Sequence, residues 1–278
     1  MVTLATLGIL AVAFVAGVMG ALLGLGGGII VVPALTLLFD VPIHLAIGAS
    51  IVGVIATSSG AASRYVRHGL THMRLAMVLE LATVSGALAG ATLAGAASPQ
   101  VLYLLFTLLL VVAGVSMLHV ETPDSAEIRP PDRLSGWLRL GGSYLDPRLQ
   151  AAVPYHAVQV GGGLAVSLVA GVFSGLLGVG GGFLKVPAMH RLMRLPLKVS
   201  TATSSFMIGV TAATSAAVFF ARGDVRPELA APVAVGVLAG AMVGARLLSL
   251  LPTRAVRWTF LVVMAVVAVQ MALRGVRG

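Results

Sequence analysis

The stretch ALLGLGGGIIVVPA, residues 21–34, decides the architecture, because its glycines interrupt an uncharged run that extends from Val2 to Phe39. A membrane-crossing helix needs about 20 apolar residues, and this run is too long for a single one. Glycine lets a helix end and the chain turn. The pattern therefore predicts a helix at 3–24, a break at the glycines and a second, short helix at 29–39.

Composition places the whole chain in a membrane. Hydrophobic residues make up 58% of its 278 residues, charged residues only 10%, and the mean hydropathy is +1.04. The formal charge of +9 does not indicate a nucleic-acid partner, because the basic residues lie in short gaps between apolar runs. Cysteine is absent, which excludes disulfides and thiolate metal sites. No P-loop, zinc-binding spacing or nucleophile elbow occurs, so we expect no enzyme, no cofactor and no metal.

Further apolar runs lie on both sides of a polar, proline-containing connector at 121–150. In the first part of the chain, 1–120, they predict spans at 45–63, 75–97 and 101–119. In the last part, 151–278, they predict spans at 151–178, 183–193, 199–221, 228–250 and 255–273. We expect an all-α polytopic protein without a cleaved signal peptide, since no basic region precedes the first run.

The glycine motif occurs twice. A shift of 154 residues places 21–34 on GLLGVGGGFLKVPA, residues 175–188, without a gap. Over the surrounding segments, 10–34 and 164–188, 16 of 25 positions are identical. Self-similarity of this length indicates two homologous halves, here 1–120 and 151–278.

Equivalent loops of the two halves differ in charge. The loop at 39–44 has no Lys or Arg, whereas its counterpart at 190–198 has three, and the next two loops also change their bias. Because Lys and Arg collect in cytoplasmic loops, this favours inverted repeats of five membrane segments each, with a cytoplasmic connector and both termini outside. Arg274 and Arg277 would then lie outside, which is an observation against it. Parallel halves of four spans, each glycine break being a kink, are the alternative.

The two glycine breaks predict an anion site. A helix N-terminus leaves backbone N–H groups unpaired, and glycine lets an anion approach them. Broken helices at equivalent places in two halves are typical of transporter binding sites. Hydroxyls on the following helices would donate to the anion, and Lys185, which replaces Val31 of the first half, would neutralise it. The predicted site residues are Gly26, Gly27, Gly28, Ser50, Thr57, Gly180, Gly181, Gly182, Lys185, Thr203, Ser204 and Thr211.

Structural roles are the alternatives. Glycine also permits close helix packing, Ser and Thr also bond back to their own helix, and a lysine can extend to the interface. For Glu80, two turns inside its predicted helix, we favour a structural partnership with an arginine over proton transfer. Arg64, Arg67, His68 and His72 are interpreted as topology determinants.

Two halves that each carry such glycines followed by a Val-Pro pair (Gly24, Val32, Pro33; Gly178, Val186, Pro187) resemble the TauE/SafE family of sulfite exporters, also called the 4-toluene sulfonate uptake permease family. The resemblance covers nearly the whole chain. It implies movement of sulfite, sulfonates or related anions across a bacterial inner membrane. Members are usually counted as eight spans, fewer than the ten segments expected from this sequence.

We therefore expect a multi-pass secondary transporter that moves a small sulfur-containing anion, such as sulfoacetate or sulfite, by alternating access. An anion channel, or a transporter of a different small carboxylate, is the alternative. Import against an inside-negative potential would require a coupling proton or sodium ion, since each charge is worth about 2.3 kcal/mol per 100 mV. The content of small residues also allows a homodimer.

Overall fold

The computed structural model describes residues 2–23, 27–118, 132–146, 151–247 and 253–277. The helices before the connector are α1 (Val2–Leu23), α2 (Gly28–Leu38), α3 (Ile43–Arg67), α4 (Met73–Ala96) and α5 (Pro99–Leu118). The elements that follow are α6 (Arg133–Trp137), β1 (Gly141–Asp146), β2 (Ala151–His156), α7 (Val160–Leu177), α8 (Gly182–Pro187), α9 (Leu197–Ala221), α10 (Pro227–Leu247) and α11 (Thr253–Arg277). A π-helical turn, Ala188–Leu192, extends α8.

Seven helices within these ranges are long and apolar enough to cross a membrane, namely α1, α3, α4, α5, α7, α9 and α10. The chain is therefore a polytopic membrane protein, as its composition predicted. The short helix expected at 29–39 is present as α2, with 11 residues. At 1.5 Å per residue it is about 16 Å long and cannot cross roughly 30 Å of hydrocarbon alone. The helix expected at 183–193 is present as α8 and its π-helical extension.

The predicted span at 151–178 is wrong in its first part, and the chain is not wholly helical. Residues Ala151–His156 form β2, which pairs antiparallel with β1. Pro154 accounts for this difference, because a proline inside a helix removes a backbone hydrogen bond and clashes with the preceding turn. The rings of Tyr144 and Tyr155 are buried and pack the hairpin against the helices.

Both short helices fold back along the helix that precedes them. A Cβ on Gly8, in the second turn of α1, would lie 3.1 Å from the ring of Phe39, which follows α2. A Cβ on Gly162, near the start of α7, would lie 3.0 Å from the side chain of Leu192 at the end of the π-helical turn. Each short helix thus runs antiparallel to its predecessor. The next long helix starts from the face where that predecessor began.

Glycines bring α1 against α10 and α4 against α7 with their backbones in contact. A Cβ on any of these glycines would overlap the backbone of the facing helix. From Gly240 to Gly244 the contact on α1 advances by four residues, and from Gly86 to Gly90 the contact on α7 also advances by four, so both pairs are parallel. The α1–α10 contacts are Gly17 with Val237, Gly240 with Phe14 and Gly244 with Val18. The α4–α7 contacts are Gly171 with Thr83, Gly86 with Leu168 and Gly90 with Val172. The 154-residue shift converts each contact of one pair into a contact of the other.

The central helices α3 and α9 pack against each other between these pairs, and α5 packs against α11. The backbone N–H of His72 donates to Thr203 Oγ1 at 3.0 Å, so α4 and α9 begin at the same face of the bundle. The ring of His72 also lies 5.8 Å from the ring of Tyr155 in the hairpin. We call the face that carries His72 and the hairpin the connector face. The other, where α3 begins and α9 ends, is the opposite face.

Candidate functional site

The chain turns sharply at both glycine breaks. In the second break, Gly178, Gly180 and Gly181 have φ angles of 67, 85 and 70°. In the first break, Gly27 has a φ of 68°, while Gly26 lies outside the described residues. These angles belong to the left-handed region, which strains any residue with a Cβ. Glycine is therefore required at these positions by backbone geometry.

The second break packs directly on the helices that follow the first. Ser50 Oγ of α3 donates to the carbonyl oxygen of Gly178 at 3.0 Å. A Cβ on Gly28 would lie 2.8 Å from that same carbonyl oxygen and 2.9 Å from Ser50 Oγ. A Cβ on Gly180 would lie 2.8 Å from the side chain of Ile208 in α9. The glycine breaks of the two halves therefore meet in the interior, where Gly182 is also buried.

A cavity of about 540 Å³ leads from the connector face to the first break. Its outer part is lined by Arg64, Arg67 and His68, which are exposed at the end of α3. Its inner part is lined by buried residues that include Gly27, Thr57, Ser58 and Ser205. The volume is in the range of small-molecule sites, roughly 300–1,000 Å³. The cavity therefore has a cationic mouth and a floor of glycine and hydroxyl groups.

The hydroxyls at the cavity floor are bonded to their own helices. Thr57 Oγ1 donates to the carbonyl oxygen of Gly53 or Val54 at 3.1 Å, and Ser58 Oγ to that of Ile55 at 3.1 Å. Ser205 Oγ donates to the carbonyl oxygen of Thr201 at 2.8 Å. Each hydroxyl would have to rotate in order to donate to a ligand.

Ser204 differs from these residues. It is 1% exposed, and its Oγ has no hydrogen-bond partner in the part of the chain that the structure describes. Its repeat equivalent, Ser50, donates to Gly178; the position matching Gly178 is Gly24, which lies outside the described residues. Leaving a buried hydroxyl without a partner costs about 1–3 kcal/mol. Ser204 is thus a buried hydroxyl that needs no change in an existing bond to the described residues before it donates to a ligand.

The predicted site residues within the described ranges fall into four groups. Gly27 and Thr57 line the cavity. Gly28, Ser50, Ser204 and the second glycine break are buried around the central helices. Thr203 accepts the His72 N–H at the start of α9 and does not line the cavity. Lys185 and Thr211 meet elsewhere, as described next.

Lys185 and Thr211 form a buried contact with Glu80. Lys185 Nζ donates to Thr211 Oγ1 at 3.2 Å, and Thr211 Oγ1 donates to Glu80 Oε1 at 2.6 Å. Lys185 is 1% exposed, Thr211 0% and Glu80 7%. The prediction that Glu80 pairs with an arginine is wrong. Its hydrogen-bond partner is Thr211, and the nearby cation that interacts with its charge is Lys185. The 154-residue shift converts this trio into Val31, Thr57 and Ala234, so only one half carries the charges.

The repeat equivalent of the cavity mouth lies at the opposite face, and there it is closed. The shift converts Tyr65 and His68 of the cavity into Phe219 and Arg222. Phe219 is completely buried, and the Arg222 guanidinium lies 4.4 Å from its ring centroid. Arg222 also pairs with Asp224 at 2.7 Å and donates to the carbonyl oxygen of Ala91 in α4. The bond to Ala91 joins the end of α9 to α4.

Ser58 and Ser205 at the cavity floor were not among the predicted site residues, and the basic residues at its mouth were interpreted as topology determinants. A signal was present. Thr57, Arg64 and His68 are spaced by seven and four residues, which places them on one helix face. That spacing connects the predicted hydroxyl with the basic residues of the following turns. The two serines directly follow predicted site residues.

The architecture defines a class of protein. Broken helices, a cavity that extends partway through the bundle and charged groups buried among membrane helices are features of membrane transport proteins. The family model for the sulfite exporter TauE/SafE matches residues 9–271. The chain belongs to this family, as its doubled glycine motif indicated.

Several relatives cover most of the chain. It is 28% identical over 271 residues to the probable membrane transporter protein YunE of Bacillus subtilis, which covers 94% of this chain and 95% of the relative. The probable membrane transporter protein YdhB of Bacillus subtilis is 28% identical over 247 residues, 88% of this chain and 91% of its own length. The probable membrane transporter protein MamO of Magnetospirillum gryphiswaldense is 25% identical over 95% of this chain, which spans 44% of that longer protein. No solved structure matches significantly.

Proposed function

We propose that the protein is a secondary transporter that moves a small sulfur-containing anion, sulfite or a sulfonate such as sulfoacetate, across a bacterial inner membrane. The observation that carries the proposal is the cavity of about 540 Å³, which reaches the first glycine break from one face while Arg222 and Phe219 close the equivalent position at the other. An interior site open to one face only is the arrangement that alternating access requires. The family supports transport as the general activity.

We further propose that the halves are inverted repeats of five segments each. The return of α2 along α1 supports this, because five segments are an odd number and the second half then begins at the face opposite to the first. The parallel pairing of α1 with α10 and of α4 with α7 also agrees with it. At the opposite face, Arg274 donates to the carbonyl oxygen of Thr36 and pairs with Asp40, both at 2.6 Å. This pairing offsets the charge that the positive-inside rule disfavours there.

The connector face is proposed to be cytoplasmic. Arg64, Arg67 and Arg74 lie near the start of α4, and Lys198 lies near the start of α9 at the same face. The basic residues beside the connector face therefore follow the cytoplasmic bias. On this basis the cavity is open to the cytoplasm, and the structure corresponds to an inward-facing state. The cationic mouth would raise the local concentration of an anion.

The anion site is proposed to lie between the cavity floor and the two glycine breaks. A sulfonate or sulfite presents several acceptor oxygens, which suit the amide groups at the start of α2 and hydroxyls such as Ser204. Thr57, Ser58 and Ser205 would contribute after rotation of their hydroxyls. Lys185 lies behind the second break and would act through its charge. Other small carboxylates carry similar acceptors, so they are the alternative substrate class.

Ligand-induced thermal stabilisation of the detergent-purified protein tests the substrate and the site together. Sulfite, sulfate, sulfoacetate, taurine, isethionate and matched carboxylates are compared, since a ligand that binds only the folded state raises Tm. We expect a selective shift with a sulfur oxyanion. Ser204→Ala should reduce that shift without lowering the Tm of the ligand-free protein, because the lost hydroxyl has no partner among the described residues.

Ser200→Ala is the matched control. Ser200 lies one turn earlier in α9, is completely buried and donates to the carbonyl oxygen of Pro196 at 3.1 Å. Its removal should lower Tm and leave the ligand shift intact. A full shift in Ser204→Ala would contradict the proposed site. Saturable counterflow in proteoliposomes separates a transporter from an anion channel, which would show none.

A further inference from the structure

The contact between Glu80, Thr211 and Lys185 joins three elements inside the membrane. Glu80 comes from α4, Lys185 from the start of α8 and Thr211 from α9, and none is more than 7% exposed. The hydroxyl of Thr211 lies between the two charged groups, 2.6 Å from Glu80 Oε1 and 3.2 Å from Lys185 Nζ. Glu80 Oε2 has no hydrogen-bond partner among the described residues. Charged groups in such surroundings are costly and are usually functional.

Glu80 depends on Lys185 for its charge balance. Of the elements around it, α7 has no titratable side chain, α8 has only Lys185, and α9 has only Lys198, in its first turn. His72 and Arg74 lie about two turns away, at the start of α4, with Tyr144 and Tyr155 of the hairpin. A purely structural ion pair would place carboxylate and ammonium in direct contact, because separation weakens their attraction. Here a hydroxyl separates them.

The hydroxyl of Thr211 fits both protonation states of Glu80. When Glu80 is ionised, Thr211 Oγ1 donates to Glu80 Oε1. When Oε1 carries a proton, that O–H can donate to Thr211 Oγ1, which then donates to the Met207 carbonyl oxygen, 2.8 Å away. Lys185 donates to the same oxygen in both states, since a hydroxyl accepts twice. A proton can therefore be gained or lost without leaving a broken hydrogen bond.

The position of Lys185 connects this proton to the anion. A Cβ on Gly181, in the second glycine break, would lie 3.3 Å from Lys185 Cε. While Glu80 is ionised, it balances the charge of Lys185. Once Glu80 is protonated, that charge is uncompensated beside the break and attracts an anion. Linkage then requires that anion binding favours protonation of Glu80 to the same extent.

We propose that Glu80 binds the coupling proton of the transport cycle, and that Lys185, freed from the charge of Glu80, then acts on the anion. The proposal rests on the proposed transport function. It favours a proton over sodium, because Lys185, on the far side of the Thr211 hydroxyl, already supplies a positive charge near the carboxylate. For a monovalent anion the cycle is an electroneutral symport of one proton and one anion. No bond is made or broken except that to the proton.

Proteoliposomes with the full-length protein and labelled sulfite or sulfoacetate test this coupling. With an alkaline interior, wild type should accumulate anion by up to about tenfold per pH unit. Glu80→Gln, a neutral isostere, should lose this accumulation, while counterflow persists without its dependence on pH. Glu228→Gln, an exposed carboxyl in the first turn of α10, is the matched control and should keep the accumulation.

A second measurement does not depend on the variant. In weakly buffered detergent solution, anion binding to wild type should take up about one proton per anion bound, in line with the linkage. Accumulation by Glu80→Gln equal to wild type, or binding without proton uptake, would overturn the proposal. Accumulation driven by a sodium gradient alone would also overturn it, in favour of sodium. Absence of counterflow in wild type with every anion would instead contradict the proposed transport function.

Discussion

Arg222 should hold the protein closed at the opposite face, and replacing it should shift the protein toward the opposite opening. Its side chain is 25% exposed and makes three interactions at the end of α9. The charged hydrogen bond to the carbonyl oxygen of Ala91 contributes about 1.5–3 kcal/mol. The partly exposed pair with Asp224 and the contact with the Phe219 ring each contribute about 1 kcal/mol or less.

Of these contacts, only the bond to Ala91 joins α9 to α4 and must separate if that face opens, because Phe219 and Asp224 lie beside Arg222 in the same segment of the chain. The loss of closure on Arg222→Ala is therefore about 1.5–3 kcal/mol. The equilibrium between the two openings should change by roughly 10- to 140-fold, at 1.4 kcal/mol per tenfold. The effect on folding stability should be smaller than the effect on accessibility, because most of the bundle packing is retained.

Single cysteines report this equilibrium directly, because the chain has no native cysteine. Ala61 lines the cavity, and its repeat equivalent, Ser215, is completely buried. In the parent protein, Ala61→Cys should react with a water-soluble maleimide and Ser215→Cys should not. Adding Arg222→Ala should reverse this order, whereas Arg226→Ala, an exposed arginine nearby, should leave it unchanged. Unchanged labelling of both cysteines in Arg222→Ala would refute the conclusion that Arg222 holds the opposite face closed.

Two further predictions concern stability. Gly240→Ala should lower Tm, with a cost of about 1–3 kcal/mol, because its Cβ would overlap the Phe14 carbonyl group. The control is Gly161→Ala, where a Cβ meets nothing within 4 Å. Equal Tm values in the two variants would contradict the close packing of α1 against α10. Burial lowers the pKa of His72 from its ordinary value of 6.5, so the unfolded state binds more protons and stability falls as the pH drops below about 6.5. His72→Asn keeps an acceptor for the Leu75 N–H but does not titrate, so the loss of Tm between about pH 7.5 and 5.5 should be smaller in this variant.

The helices and glycine breaks could be predicted from sequence, because hydropathy and glycine act locally. The hairpin was missed because Ala151–His156 is as apolar as a span, although Pro154 was a signal against a helix. The cavity floor was found only at Gly27 and Thr57. Which other hydroxyls face the cavity depends on how α3 and α9 pack against their neighbours, and no local pattern records that packing.

The partner of Glu80 was also missed, for a different reason. Thr211 and Lys185 are more than 100 residues from Glu80 in the sequence, and the Thr211 hydroxyl mediates the contact between Glu80 and Lys185. The repeat contains a signal of this contact. The repeat equivalent of Glu80 is Ala234 and that of Lys185 is Val31, so both charges depart from the symmetry of the two halves. Opposite charges that depart together are candidates for direct interaction.

These departures from symmetry have a physical consequence for a transporter built from two similar halves. If the halves were identical and inverted, a two-fold axis in the membrane plane would convert the inward-open state into the outward-open state. The two states would then be equal in free energy. The packing glycines retain this equivalence. The substitutions that break it include three that change charge: Arg222 in place of His68, Lys185 in place of Val31, and Glu80 where the other half has Ala234.

Each of these changes can bias the equilibrium between the two states by a few kcal/mol, which is the scale of functional conformational changes. Arg222 favours closure of the opposite face. The charge of the Glu80–Lys185 pair changes with protonation, so its bias changes with the bound proton and anion. A repeat that keeps its packing glycines, and that differs in charge at Arg222 and at the Glu80–Lys185 pair, therefore separates the two tasks of such a transporter. The shared residues keep both states accessible, and the differing residues decide when each is occupied.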